Sequence, residues 1–162
     1  GTIFKISDII PYKGSNEATA APLSNGRLIL NSRNQKGDVR ARIVSFSNDG
    51  GATWENTQLD KTLIDPICQG SILTIGKRKG KSILAFVNAA DTKLRNNLTL
   101  RISFDEGKTW PLNYTIADDA SREDYAAYSD LVLIDKKTVG ILYELDHYQK
   151  IEFVKVNWQK IK

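Results

Sequence analysis

One eight-residue pattern occurs twice in this chain, with five identical positions. The segment SNDGGATW starts at residue 47 and SFDEGKTW starts at residue 103, so the same Ser, Asp, Gly, Thr and Trp positions return 56 residues later. A turn followed by an apolar run recurs at a similar spacing, at Gly26, Gly80 and Lys137. Repeats of about 40 to 50 residues that each contain about four strands are typical of β-propeller blades. The spacing therefore predicts about three blades.

Short β-strands are the regular structure that the sequence predicts. Eight segments are rich in branched apolar residues, partly alternate with polar residues and are separated by turn clusters. They are residues 27–33, 39–46, 71–75, 82–87, 98–104, 131–134, 139–143 and 151–156. No window keeps the apolar spacing of an amphipathic helix beyond a turn or two. We therefore expect an all-β chain of about three four-stranded antiparallel sheets, the last lacking its outer strand.

The repeated octapeptide has the composition of a hairpin turn that holds itself together. A carboxylate such as that of Asp49 can accept backbone N–H groups, and Gly51 can adopt the positive φ that a tight turn requires. Trp54 can pack beneath the turn as an apolar plug. The same residue types stand at the same places in the second copy, so both copies are interpreted as stabilising the fold, with no catalytic role.

Composition and charge exclude several functional classes. The 23 Lys and Arg residues exceed the 19 Asp and Glu residues by only four, which is too small and too scattered an excess for a nucleic-acid surface. No apolar stretch is long enough to span a membrane. The single cysteine, Cys68, cannot form an internal disulfide, and with the single histidine, His147, it cannot build a zinc site. We therefore expect no metal, no cofactor and no nucleic-acid partner.

Three blades are too few for a complete propeller. A propeller closes with about four to eight blades, and three would leave strand edges unpaired. The sequence contains no Met and shows no signal-peptide pattern at its start, as a processed or truncated piece would. Residues 1–162 are therefore expected to form about half of a propeller domain, and the other half becomes the expected partner.

The octapeptide matches the Asp-box, and the chain around it resembles the C-terminal half of the sialidase (neuraminidase) family, glycoside hydrolases built as six-bladed propellers. The resemblance covers essentially the whole chain and depends on several short motifs in the family's order. They are NEATA at 16–20, LNSRN at 30–34, CQGSI at 68–72, RNNLTL at 95–100, AYSDL at 127–131 and LYE at 142–144. Composition leaves the compartment open, and only the resemblance points towards a secreted or periplasmic protein.

The resemblance implies that Tyr128 is the catalytic nucleophile and that Glu17 is its base. Sialic acid carries a carboxylate on its anomeric carbon, so a carboxylate nucleophile would be repelled, and sialidases use a tyrosine instead. A phenol has a pKa of about 10 and is weakly nucleophilic at neutral pH, so a neighbouring base has to accept its proton.

The resemblance also implies a binding site for the carboxylate of the substrate. Arg33 and Arg95 match the second and third arginines of the family's arginine triad, whose planar guanidinium groups suit bidentate recognition of a carboxylate. Gln69 is expected to line the sugar pocket, and Glu144 matches a supporting residue that braces the first arginine. The first arginine and the acid that protonates the leaving group, an Asp, match nothing in this chain. The other arginines are expected on solvated faces: Arg27, Arg40, Arg42, Arg78, Arg101 and Arg122.

These roles predict that the parent protein is an exo-α-sialidase, a retaining glycosidase acting on sialylated glycoconjugates, and that the isolated chain is inactive. Asp130 and Asp146 are given no catalytic role, because neither matches the motif of the family's general acid. His147 is expected in an exposed loop, because no G-x-S-x-G motif accompanies it. One alternative is a non-catalytic Asp-box propeller that binds glycans or proteins, and another is a trans-sialidase or an intramolecular sialidase with the same site. A hydrolase requires Glu17, Arg33, Arg95 and Tyr128 to converge at one rim, away from both Asp-box turns.

Overall fold

A computed structural model describes residues 3–161 of the chain, and these residues form eleven β-strands in three antiparallel sheets. The first sheet contains β1 (Ser15–Pro22), β2 (Leu28–Asn34), β3 (Arg42–Ser47) and β4 (Glu55–Asp60). The second contains β5 (Gly70–Arg78), β6 (Lys81–Ala89), β7 (Leu98–Ser103) and β8 (Leu112–Ala117). The third contains β9 (Ala126–Asp135), β10 (Thr138–Leu145) and β11 (Lys150–Asn157). The all-β class, the three sheets and the shorter last sheet are confirmed.

Three of these strands, β1, β4 and β8, have no counterpart among the strands that the sequence predicts. β4 and β8 are outer strands whose side chains are exposed or half-buried, so neither carries an alternating buried apolar face. β1 is an inner strand with the sequence SNEATAAP, in which small and polar residues predominate. Strand prediction from apolar patterns therefore fails at both the outer edge and the inner edge of a blade.

Two apolar layers hold the sheets face to face. Ile29 of β2 and Phe86 of β6 belong to the layer between the first and second sheets, where Trp110 packs against Phe86 with ring centroids 5.9 Å apart. Leu100 of β7 and Ile141 of β10 belong to the layer between the second and third sheets. The first strands of the sheets are neighbours, because β1 contacts β5 and β5 contacts β9. This stacking brings residues that are far apart in the chain to one inner edge.

Each Asp-box closes its own turn with side-chain hydrogen bonds. In the first box Thr53 donates from its backbone N–H and its hydroxyl to Asp49, at 3.0 and 2.6 Å, and Gly51 N donates to Ser47 Oγ at 2.9 Å. The equivalent bonds of the second box are 2.7–2.9 Å long. The bonds from Thr53, followed by that from Ser47, lower the pKa of Asp49 to about 2. The box aspartates therefore act as local turn acceptors, as the sequence indicates.

Strand register places the Asp-boxes at one end of the sheets. In the first sheet Leu28 pairs with Ser47, where the box begins, whereas Asn34 at the other end of β2 pairs with Ser15. The second sheet has the same arrangement, and its β6–β7 loop lies at the end away from its box. The end opposite the boxes therefore collects the start of β1, the end of β2 and the β6–β7 loop.

Two arginines expected on solvated faces are buried instead. Arg42 is fully buried and donates to Asn31 Oδ1 at 2.7 Å and to Asp65 Oδ2 at 3.1 Å. Arg101 is also buried, donates to Asn88 Oδ1 at 2.9 Å, and has its pKa lowered to about 10, chiefly by burial. Each buried guanidinium group has a polar partner, as burial of a charge requires. The sequence of the strand that carries the arginine does not reveal that partner.

Within residues 3–161 no helix has the length and apolar character needed to cross a membrane. No group of three or more His, Cys, Asp or Glu side chains in that range is arranged to hold a metal ion.

Candidate active site

Glu17 and Arg33 are brought together by an irregularity in the pairing of β1 with β2. Ser15 pairs with Asn34, and the next regular pair joins Ala18 to Ser32, so β1 has one more residue than β2 over this stretch. Such a bulge redirects a side chain relative to the regular alternation of a strand. Glu17 lies in the bulge, and its Oε2 accepts a hydrogen bond of 2.9 Å from Arg33 Nη1.

Tyr128, near the start of β9, completes this group from the third sheet. Its hydroxyl donates to Glu17 Oε1, and Arg33 Nη1 donates to the Tyr128 hydroxyl at 3.1 Å. All three side chains are partly shielded from solvent, and 111 residues separate Glu17 from Tyr128 in the chain. A phenol, a carboxylate and a guanidinium group therefore meet in one hydrogen-bonded triangle.

The protonation of Tyr128 follows from these contacts. The hydrogen bond to Glu17 raises the pKa of Tyr128, burial raises it further, and the positive charge of Arg33 opposes the shift. The phenol is therefore neutral at pH 7, and the Glu17 carboxylate already accepts its hydrogen bond. This is the arrangement that general-base activation of a hydroxyl requires.

Arg95 approaches the same phenol from the β6–β7 loop of the second sheet. Its Cζ lies 5.6 Å from the centroid of the Tyr128 ring, a cation–π arrangement, and its Nη1 donates to Tyr148 Oη at 3.2 Å. The carboxylates of residues 3–161 form no ion pair with Arg95, whereas Arg33 pairs with Glu17. The structure thus brings all four of the expected side chains, Glu17, Arg33, Arg95 and Tyr128, to the end opposite both boxes.

Gln69 and Glu144 hold the backbone on either side of the Tyr128 side chain. Gln69 Oε1 accepts from Ser129 N at 3.0 Å, and Glu144 Oε2 accepts from Tyr128 N at 3.1 Å. Both also line a cavity of about 300 Å³ together with Leu142. Gln69 therefore lines a cavity beside Tyr128, and Glu144 has a contact with the Tyr128 backbone that the sequence does not predict.

A buried polar layer beneath the site was missed by sequence reasoning. Arg42 pairs with Asp65, and Asp65 Oδ1 also accepts from Cys68 N at 2.8 Å, next to Gln69. Burial raises the pKa of Cys68 to about 12, so its thiol is neutral. The sequence around Arg42 carries no signal of this layer, because its partner Asp65 lies in a loop 23 residues later in the chain.

The residues that were given no catalytic role lie outside the hydrogen-bonded triangle. Asp130 accepts from Ser71 Oγ at 2.9 Å, and Asp146 forms ion pairs with Arg122 and Lys150 at 2.7 and 2.9 Å. His147 is exposed in the β10–β11 turn. None of these three contacts Tyr128 or Glu17 through a hydrogen bond of the described residues.

Comparison with known sequences gives one family of repeat domains and several sialidases as relatives. Residues 4–141 match the model of the BNR repeat-like domain. The chain is 37% identical over 135 residues to a sialidase of Bacteroides fragilis, covering 80% of this chain and 24% of the relative. It is 34% identical over 137 residues to a sialidase of Micromonospora viridifaciens, covering 81% and 20%. The chain thus spans about a quarter or less of these relatives.

Solved structures give the same result. The Hadza microbial sialidase Hz136 superposes with a TM-score of 0.76 at 34% identity, over 92% of this chain and 29% of that one. The NanB sialidase of Streptococcus pneumoniae superposes with a TM-score of 0.83 over 100% of this chain and 26% of that one, and at 19% identity it supports the fold alone. With its three sheets, its paired Asp-boxes and these relatives, the chain belongs to the BNR repeat-like domain family and is related to the sialidases.

Proposed function

We propose that the protein carrying this chain is an exo-α-sialidase that releases terminal sialic acid from glycoconjugates with retention of configuration. The observation that carries the proposal is the hydrogen-bonded triangle of Tyr128, Glu17 and Arg33, with Arg95 over the Tyr128 ring. The sialidases among the relatives support the same substrate class. A purely binding module would not need a carboxylate that accepts the proton of a phenol.

Tyr128 is the proposed nucleophile. Its oxygen forms a bond to the anomeric carbon as the glycosidic C–O bond breaks, and its proton passes to Glu17. An acid outside this chain protonates the departing oxygen. In the second step the acid outside this chain, now deprotonated, accepts a proton from the water that attacks the same carbon. The bond to Tyr128 breaks, and Glu17 returns its proton to the phenol. Two displacements at one carbon retain the configuration.

Arg33 and Arg95 are the proposed ligands of the substrate carboxylate. Arg33 Nη1 lies 3.1 Å from the Tyr128 hydroxyl, so a carboxylate bound to this guanidinium group would place its anomeric carbon close to the nucleophile. Arg95 lies on the ring of the same tyrosine and is available to the anion from the second sheet. Two guanidinium groups also offset the negative charge that Glu17 adds to the site.

The rest of the machinery is proposed to lie in an N-terminal half of the propeller. Residues 1–162 would then be its C-terminal half, and the other half would supply the first arginine and the acid. The cavity beside Tyr128 supports this arrangement, because Leu142 and Ile151 line it and are exposed on the third sheet. Gln69 would line the sugar pocket there, and Glu144 would brace both the Tyr128 backbone and the incoming arginine.

The decisive experiment measures hydrolysis of a fluorogenic sialoside by the full-length protein and by the 162-residue chain. We expect turnover only in the full-length protein, with a loss of at least about 10³-fold in Tyr128→Phe and of about 10²–10⁴-fold in Glu17→Gln. Tyr114→Phe, which removes a phenol from the exposed side of β8, is the matched control and should retain activity.

Three results would contradict the proposal. Substantial turnover by the 162-residue chain would show that no second half is needed. If NMR showed that the β-anomer of sialic acid is released first, retention would be excluded. Sialoside binding by the full-length protein without turnover would favour the non-catalytic propeller instead.

A further inference from the structure

Within residues 3–161, Arg95 is connected to a carboxylate only through a second tyrosine. Tyr148 Oη accepts from Arg95 Nη1 at 3.2 Å and donates to Asp124 Oδ2 at 2.7 Å. Burial and the hydrogen bond to Asp124 raise the pKa of Tyr148, so this phenol is neutral at pH 7 and can donate and accept at once. The three side chains form a chain of two hydrogen bonds, and the guanidinium group of Arg95 makes no ion pair with the carboxylate of Asp124.

The turn that carries Tyr148 has an unusual backbone. Asp146, His147 and Tyr148 have φ values of 56°, 53° and 64°, so three successive residues that are not glycine adopt the left-handed conformation. This conformation costs about 1–2 kcal/mol per residue for an L-amino acid with a side chain. A strained backbone of this kind persists where the surrounding structure holds it in place.

Backbone hydrogen bonds hold this turn against the loop of Arg95. Asp146 N donates to Tyr125 O at 2.8 Å, and His147 N donates to Asp124 O at 3.2 Å. Ala126 N in turn donates to Arg95 O at 3.1 Å. The β10–β11 turn, the segment before β9 and the β6–β7 loop are therefore joined into one unit, with Tyr148 Oη directed at Arg95.

The position of Arg95 between two tyrosines limits how its guanidinium group can turn. Its Cζ lies 5.9 Å from the centroid of the Tyr148 ring and 5.6 Å from that of the Tyr128 ring. A carboxylate in direct contact with Arg95 would hold it equally well, but would compete with an anionic ligand for the same N–H groups. A neutral phenol fixes the orientation through one N–H and leaves the others available.

We propose that Tyr148, held by Asp124, is a positioning residue that orients Arg95 towards the carboxylate of the substrate without neutralising its charge. This inference rests on the proposed sialidase function, because it assigns a partner to one of the two arginines of that site. It assigns no contact with substrate to Tyr148 itself.

The test is Tyr148→Phe in the full-length protein, which keeps the ring and removes the hydroxyl. We expect KM for a sialoside to rise about five- to tenfold while kcat changes less than about twofold, because a lost hydrogen bond to a charged group weakens substrate binding. The matched control is Tyr114→Phe, since Tyr114 and Tyr148 are 46% and 45% exposed. It should leave KM and kcat unchanged.

A binding measurement separates positioning from a general structural effect. We expect Tyr148→Phe to weaken binding of free N-acetylneuraminic acid about five- to tenfold and to leave binding of its uncharged methyl ester unchanged. Asp124→Asn should weaken binding of the acid less. Combining the two substitutions should add nothing to Tyr148→Phe, because Asp124 acts through the phenol.

The outcomes distinguish this inference from the function on which it rests. Equal KM values for wild-type and Tyr148→Phe, or equal weakening for acid and ester, would overturn the positioning role while leaving the sialidase proposal intact. A full-length wild-type protein that binds the acid in a Tyr148-dependent way without hydrolysing sialosides would overturn the sialidase proposal alone. A wild-type protein that neither binds nor hydrolyses would overturn both.

Discussion

Arg33 and Arg42 show how differently two arginines of one sheet can be used. Arg33 stands at the end of β2 next to Glu17 and Tyr128, whereas Arg42 at the start of β3 is fully buried against Asp65. The resemblance to the sialidase family predicted these neighbours of Arg33. The burial of Arg42 was not predictable, because its partner comes from a loop 23 residues later that only folding brings near.

Replacing Arg42 by Met should strongly destabilise the protein. The change would leave the carboxylate of Asp65 buried without a counter-charge, and removing one partner of a buried pair costs about 3–5 kcal/mol. Urea unfolding of the full-length protein measures the loss, with Arg40→Met as the control for removing a nearby arginine.

Adding Asp65→Leu to Arg42→Met should restore part of this stability, because no buried charge remains. If Arg42→Met alone is as stable as the Arg40→Met control, the pair does not support the loop that carries Gln69.

Among the elements, the turns of the Asp-boxes were predictable and the strands β1, β4 and β8 were not. The bonds that close a box turn join residues within the octapeptide, so they follow from the sequence alone. β4 and β8 gain their strand structure from pairing with β3 and β7, and their own side chains carry no apolar period. The site depends on β1, so the bulge that directs Glu17 towards Arg33 could not be foreseen either.

Replacing Asp49 by Asn should destabilise the first sheet in a pH-dependent way. The pKa of Asp49 falls from 3.8 to about 2 on folding, so its charged form stabilises the folded state. This contribution is fully present above the unfolded value of 3.8 and disappears as the pH falls through about 2. The difference in melting temperature between wild-type and Asp49→Asn should therefore be largest near neutral pH and shrink in acid.

The control for the Asp49 substitution is Asp8→Asn, which removes the same charge from an exposed residue before β1. A difference for Asp49→Asn that stays constant between neutral pH and acid, or that matches the Asp8 control, would contradict a stabilising role of the box carboxylate.

At the scale of the molecule, the third sheet has an apolar face that nothing in residues 3–161 covers. Leu142 pairs with Phe153 across β10 and β11, and both are exposed on the same side as Ile151. The run from Leu131 to Ile134 is apolar without alternation, a pattern typical of strands that are covered on both faces. The sequence indicated three blades. Which face of the third sheet stays exposed could be seen only from how the sheets pack against each other.

This apolar face leads to different predictions for the 162-residue chain and for the full-length protein. Phe153 and Ile151 are 53% and 63% exposed in this chain, so replacing both by Ser should reduce self-association of the 162-residue chain in size-exclusion chromatography. If a further blade covers them in the full-length protein, the same double variant should lose about 3 kcal/mol of stability there, because two buried apolar side chains are lost. Tyr114→Ser, on exposed β8, should have little effect on either protein. Unchanged stability of the full-length double variant would mean that this face stays open, and that the arginine and acid proposed to lie in another half would have to reach Tyr128 by another route.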